Sequence, residues 1–148
     1  MYLRRCLMED CDTLYKWAND PTVRINAFNT SPIPYEGHVE WFKKSIENKD
    51  RQIFILIKDN ISVGQIRIDI EENIAIISYI IDEKERGKGI GSTMLNLLYE
   101  KIKADGFNIK ILKGLVKKEN IASRKAFINN GYIEIEDKEY IVYIKKIE

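Results

Sequence analysis

A chain of 148 residues, 45% hydrophobic and 32% charged, has the length and make-up of one globular domain and is too short for two. Its formal net charge of +1 leaves no electrostatic footprint for nucleic acid or an anionic membrane, and no apolar run reaches spanning length. A single domain over residues 1–148 is expected. A cytoplasmic location is expected too, because the start Met-Tyr-Leu-Arg-Arg-Cys holds no signal-peptide core.

In chain order, Tyr2–Leu7 reads as a first strand and Met8-Glu-Asp10 as the beginning of a helix, with Leu14, Trp17 and Ala18 on its apolar side. Pro21 stops that helix, since it lacks the N–H and disfavours helix just before it. Thr22–Pro34 is expected to be irregular or briefly helical, and it is rich in polar and aromatic groups for a connector. Tyr35–Asn48 resumes helical spacing through Val39, Phe42 and Ile46. From Gln52 the pattern turns to strands: Gln52–Lys58, a tight turn at Asp59-Asn60, Ile61–Ile70, and Ile74–Ile81, the most apolar, expected to be buried on both faces. Gly89–Asp105 is helical and ends at Gly106. Asn108–Lys117 is a strand whose Gly114 signals a bulge or a close backbone approach. Asn120 caps a helix over Ile121–Asn130, and Tyr132–Glu136 and Tyr140–Lys145 close the chain as antiparallel strands.

Cys6 and Cys11 lie too near one another, in a chain with no export signal, to argue for a disulfide framework. Buried free thiols are the expectation, and with one histidine no metal site is expected. Asn29-Thr-Ser31 and Asn60-Ile-Ser62 match glycosylation sequons, which a cytoplasmic chain does not use.

The organising stretch is Ile80–Met94. An apolar strand leads through a charged loop into Arg86-Gly87-Lys88-Gly89-Ile90-Gly91-Ser92 and then a helix. That arrangement turns several backbone N–H groups toward one spot at the positive end of a helix dipole, the geometry that holds a phosphate or pyrophosphate. The dinucleotide fingerprint is not met, because a third glycine would fall on Ser92 or Met94. The P-loop is not met either, because Gly87-Lys88 precedes Gly89 and not Ser or Thr.

What the stretch resembles is the acyl-CoA signature of the GNAT acetyltransferase superfamily, (Arg/Gln)-x-x-Gly-x-(Gly/Ala), met as Arg86-Gly-Lys-Gly89-Ile-Gly91. The segment Asn120-x-x-Ser123 … Phe127 … Asn130-Gly131-Tyr132 is similar to a second motif of that superfamily. The element order β-α-α-β-β-β-α-β-α-β-β matches the family along nearly the whole chain. The resemblance implies an α/β (α+β) fold with a central mixed, mostly antiparallel twisted sheet of about seven strands flanked by helices. It implies acetyl-CoA as co-substrate and a primary amine as acceptor. Backbone groups of Tyr79, Ile80 and Ile81 would pair with the pantetheine and the acetyl carbonyl. Amides of Arg86, Gly87, Lys88, Gly89, Ile90, Gly91 and Ser92 would cradle the pyrophosphate, and Asn120 would meet the cofactor. Members are often dimers, which leaves a homodimer open.

One departure is informative. Many members carry a tyrosine where Phe127 stands, and it protonates the departing thiolate, which a phenylalanine cannot do. Because a thiol's pKa lies near about 8.5, the CoA thiolate is a tolerable leaving group without it. Ser78 is a candidate to orient the amine or relay a proton, against the reading of an ordinary strand serine. His38, the lone histidine, is the candidate base because imidazole is the side chain suited to proton transfer near neutral pH, against the reading of a histidine at a helix start.

Trp17-Ala-Asn19-Asp20-Pro21-x-Val23-Arg24 … Phe28 … Ile33 … His38-x-x-Trp41-Phe42 carries a narrower resemblance, to the acetyltransferases of nonulosonate (pseudaminic-acid-type) biosynthesis. Those enzymes acetylate the 4-amino group of a UDP-linked 4-amino-4,6-dideoxy sugar. In that reading Arg24 pairs with the diphosphate, Trp17 or Phe28 stacks on base or sugar, and His38 lines the acceptor pocket. The alternatives are a surface arginine and core aromatics. Two other functions stay open: acetylation of a peptide α-amine, as in ribosomal-protein N-terminal acetyltransferases, or of another small amine, and a non-catalytic module that only binds acyl-CoA.

Overall fold

The computed structural model describes residues 1–148. The strands are β1 (Tyr2–Arg5), β2 (Arg51–Lys58), β3 (Ile61–Glu71), β4 (Ile74–Ile81), β5 (Ile111–Lys117), β6 (Ile133–Glu136) and β7 (Tyr140–Lys146). The helices are α1 (Cys11–Ala18), α2 (Pro21–Asn26), α3 (Tyr35–Glu47), α4 (Ile90–Asp105) and α5 (Ile121–Asn129). The strands form one seven-stranded sheet in the order β1-β2-β3-β4-β5-β7-β6, in which β4 and β5 run parallel and every other neighbouring pair antiparallel. This is the mixed, mostly antiparallel sheet that the family resemblance implies.

Period-two alternation sends side chains of each strand to opposite faces, and each face has its own core. Phe54, Leu56, Ile66, Ile68, Ala75, Ile77, Leu112 and Val116 point to the α4–α5 face, where they pack with Met94, Leu98 and Phe127. Ile53, Ile55 and Ile57 point the other way, toward Leu14, Trp17 and Phe42 of α1 and α3.

Two expectations change in detail. The stretch after Pro21 is a six-residue helix: Pro21 ends α1, but its fixed φ suits the first turn of α2, and Asp20 Oδ1 accepts the Thr22 N–H at 2.9 Å. Strand β4 is not buried on both faces throughout, since Ser78–Ile81 are only partly covered. Of the thiols, Cys6 is buried and Cys11 partly exposed, and both are free. No helix is long and apolar enough to cross a membrane.

Candidate active site

The site begins where two parallel strands part. β4 and β5 pair from Ile74↔Ile111 to Ile77↔Gly114 and no further, although β4 continues to Ile81 and β5 to Lys117. Beyond that point Ser78–Ile81 keep β3 on one side, through Arg67↔Ser78 and Gly64↔Ile81, and have no strand on the other. Phe127 of α5 lies at the parting point, so close that a Cβ on Gly114 would run into its Cζ. Its ring is stacked on Tyr143 at 5.1 Å and edge-on to Tyr132 at 4.9 Å. Gly114 is therefore the close approach its sequence context signals, not a bulge.

The glycine loop stands at the α4 end of this gap. No backbone N–H from Arg86 through Ser92 donates a hydrogen bond within the chain. Gly87 and Gly89 have φ of 76° and 75°, where a side chain is strained, so the loop ahead of α4 depends on both glycines. Gly91 is needed for a different reason. A Cβ there would lie 3.2 Å from the Tyr79 hydroxyl, so the third glycine makes room for a phenol. The loop's cations are already engaged: Arg86 Nη2 meets Asp20 Oδ1 at 3.2 Å, and Lys88 Nζ meets Glu85 Oε2 at 3.0 Å. Lys88, with Lys58, holds the Glu85 carboxyl below its ordinary pKa. Ile90 is buried and offers a ligand only its backbone.

Tyr79 stands on the part of β4 that has left β5. Its hydroxyl is 2.9 Å from Ser123 Oγ on α5, so the two hydroxyls bridge the sheet and the helix across the gap. Burial raises the Tyr79 pKa, and the hydrogen bond to Ser123 partly offsets that rise. Asn120 caps α5 through Oδ1, which accepts the Ser123 N–H at 3.3 Å. Sequence reading treated Tyr79 as a backbone contributor and Ser123 as part of a motif. The register that brings their side chains together is tertiary.

The α1–α3 side departs most from expectation. His38 is 3% exposed, among Tyr15, Trp41 and Phe42, and its Nε2 lies 2.9 Å from the Cys11 carbonyl oxygen. A carbonyl only accepts, so Nε2 carries the proton and is spent on tying α3 to α1. His38 is thus a core residue and not a base facing a pocket. Arg24 gives Nε to the Ala18 carbonyl at 2.6 Å and Nη1 to those of Asn29 and Ser31, which makes it a rivet of the α2 loop and not a free diphosphate ligand. Trp17 is buried, with Nε1 donating to Asp82 Oδ2 at 2.9 Å, so it too belongs to the core. Phe28 alone of that group is open to a ligand: it is 58% exposed and edge-on to Tyr140 at 5.7 Å.

On the α1–α3 face of the sheet, polar side chains of β3 and β4, among them Arg67, Asp69 and Ser78, stand beside the isoleucines of that core. Ser78 Oγ is 3.5 Å from Arg67 Nη2, a long contact that leaves the serine available. Arg67 and Arg51 share Asp69 and both lie 5.5 Å from the Trp41 ring centroid. Farther along, Lys113 and Lys117 of β5 face the same side, and Lys117 Nζ reaches the Ile25 carbonyl at 3.0 Å. Nowhere do three or more His, Cys, Asp or Glu side chains gather as they would around a metal ion.

Residues 1–133 match the model of the acetyltransferase (GNAT) domain. The acetyltransferase PseH of Campylobacter jejuni is 25% identical over 134 residues, which are 89% of this chain and 83% of that protein. An N-acetyltransferase from Staphylococcus aureus Mu50 shares the fold at a TM-score of 0.82 and 20% identity, covering 99% of this chain and 98% of that one. RimL, a ribosomal L7/L12 alpha-N-protein acetyltransferase solved with coenzyme A, does so at 0.84 and 17%, covering 98% and 93%.

Proposed function

Because the chain belongs to the GNAT acetyltransferase family and moves an acetyl group from acetyl-CoA to an amine, we propose that its acceptor is the 4-amino group of a UDP-linked 4-amino-4,6-dideoxy sugar. The observation that carries the acceptor class is the cationic, aromatic-edged face of the splayed sheet. Lys113 and Lys117 lie on β5, Arg67 on β3, and at its rim the exposed Phe28 against the half-buried Tyr140. Positive charge there favours an anionic acceptor such as a nucleotide diphosphate, and an exposed aromatic suits a base or sugar ring. The same charge disfavours a basic peptide. The resemblance of the Trp17–Phe42 segment to nonulosonate acetyltransferases points the same way, and its residues act chiefly as scaffold.

The residues present fit acetyl-CoA. Unbonded amides from Arg86 to Ser92 suit a pyrophosphate, and the open edge of Tyr79–Ile81 suits an extended amide-bearing arm. The cofactor supplies an activated thioester. The chain's part is to hold it along β4 so that a neutral amine meets its carbonyl from the Ser78 side. Tyr79 and Ser123 stand where Phe127 leaves no hydroxyl, and they are the groups we assign to proton delivery on the sulfur side. The acceptor amine's own proton passes to solvent, since His38 is withdrawn from that role.

The experiment is CoA thiol release from acetyl-CoA with the UDP-linked amino sugar as acceptor. Release that depends on the sugar is expected. No release, with acetyl-CoA binding demonstrated in the same sample, moves the acceptor to another amine.

A further inference from the structure

Strand β3 runs Val63-Gly64-Gln65-Ile66-Arg67-Ile68-Asp69. Ile66 and Ile68 are in the α4–α5 core, so the alternation turns Gln65, Arg67 and Asp69 to the acceptor face. Arg67 and Asp69 have partners: each other, Arg51, Trp41 and Ser78. Gln65 is 6% exposed, and its Oε1 is fully buried without a hydrogen-bond partner. A buried amide oxygen left unpaired is costly to a fold, and such atoms call for a specific explanation.

Position supplies one. Gln65 pairs with Ile80 across the β3–β4 ladder, and Arg67 pairs with Ser78. Cross-strand partners lie about 5 Å apart, so Gln65, flanked by Ile55 and Ile80, stands one strand in from the free edge that β4 offers to the thioester. The other unpartnered buried atom, Tyr132 Oη, sits in the α4–α5 core near Lys145, on the opposite face.

We propose that Gln65 holds the acceptor's amine nitrogen, its Oε1 accepting an N–H on the Ser78 side of β4 and so aiming the nitrogen lone pair at the thioester carbonyl. An amide oxygen is not basic enough to remove the proton, so the role is positioning: the N–H stays on nitrogen until the carbon–nitrogen bond has begun to form. The inference rests on amine acetylation at this site and not on the identity of the amine. It also accounts for a neutral glutamine where a carboxylate would attract the protonated, unreactive ammonium.

The test uses two CoA analogues that carry the acceptor position with them: CoA alkylated on sulfur with N-methylacetamide, which presents an N–H, and with methyl acetate, which does not. Calorimetry on the wild-type protein should give about tenfold tighter binding of the amide than of the ester. In Gln65→Met, which keeps shape but no acceptor oxygen, the ratio should fall to about one, with affinity for CoA itself unchanged and the melting temperature not lowered. A ratio of one in the wild-type protein overturns the proposal whatever the variant does. So does a preference that survives in Gln65→Met. Failure of the UDP-sugar to be acetylated would change the substrate assignment and leave this ratio as it stands.

Discussion

On the α4–α5 side of the gap the groups offered to a ligand are backbone amides, from Arg86 to Ser92 and along Tyr79–Ile81. On the α1–α3 side they are side chains, and most of those that looked functional are already spent. Backbone-built recognition depends on conformation, which a glycine pattern writes into a short stretch. Side-chain recognition depends on which polar groups remain free after packing, and packing is settled by residues far along the chain. His38, Arg24 and Trp17 hold the acceptor side together, whereas three residues less conspicuous in the sequence are not so engaged: Phe28 is exposed, Ser78 has only a long contact to Arg67, and the buried Gln65 Oε1 has no partner.

The contrast breaks or sharpens at four places. His38→Ala should cost about 3 kcal/mol of stability in urea unfolding, from lost packing and an orphaned Cys11 carbonyl. The pH–rate profile of the folded variant should match wild type; loss of a titration near neutrality without loss of stability would restore His38 as base. Gly89→Val should weaken acetyl-CoA about 100-fold by calorimetry, since a β-branched residue at φ 75° reshapes the loop. Its strain should cost the fold only about 1–2 kcal/mol, and unchanged affinity would remove the loop from cofactor binding.

Asp10→Asn probes the scaffold of the acceptor side. The Asp10 carboxyl is buried, takes bidentate hydrogen bonds from Arg4 at 2.8 Å and one from the Leu7 N–H at 2.7 Å. The Arg4 hydrogen bond holds its pKa below the ordinary carboxylate value. A depressed folded-state pKa contributes stability above the unfolded value and loses it as pH falls through the folded one. The variant should therefore be less stable by about 2 kcal/mol at neutral pH, with the gap to wild type narrowing below about pH 4. A gap that stays constant down to pH 2 would show that the charge contributes nothing. Smallest, Tyr79→Phe should lower kcat about tenfold with little change in acetyl-CoA affinity, as expected of a proton donor. A matching loss of affinity would make the hydroxyl pair a binding element instead.

Much of the fold is written locally. The bounds of β4 coincide with the apolar run Ile74–Ile81, Asn120 caps α5, and Asp105-Gly106 ends α4. The glycine loop is legible because a positive φ leaves few residues but glycine, and the β2-β3-β4 order follows from short hairpin turns and an alternation that cannot slip by one residue. The polar row Gln65-x-Arg67-x-Asp69 was visible as alternation, a signal that those side chains share a face, though not that the first of them lacks a partner.

By itself, then, the sequence determined the strands, the helix starts, the phosphate-type loop and the family to which they belong. All of these rest on neighbours within a few residues of one another. Only the tertiary structure decided where β4 leaves β5, that Tyr79 meets Ser123, that His38 is sealed against Cys11, and that Gln65 is left unpaired. Each of those depends on contacts between segments distant in the chain, where burial and hydrogen-bond competition assign partners that spacing along the sequence does not record.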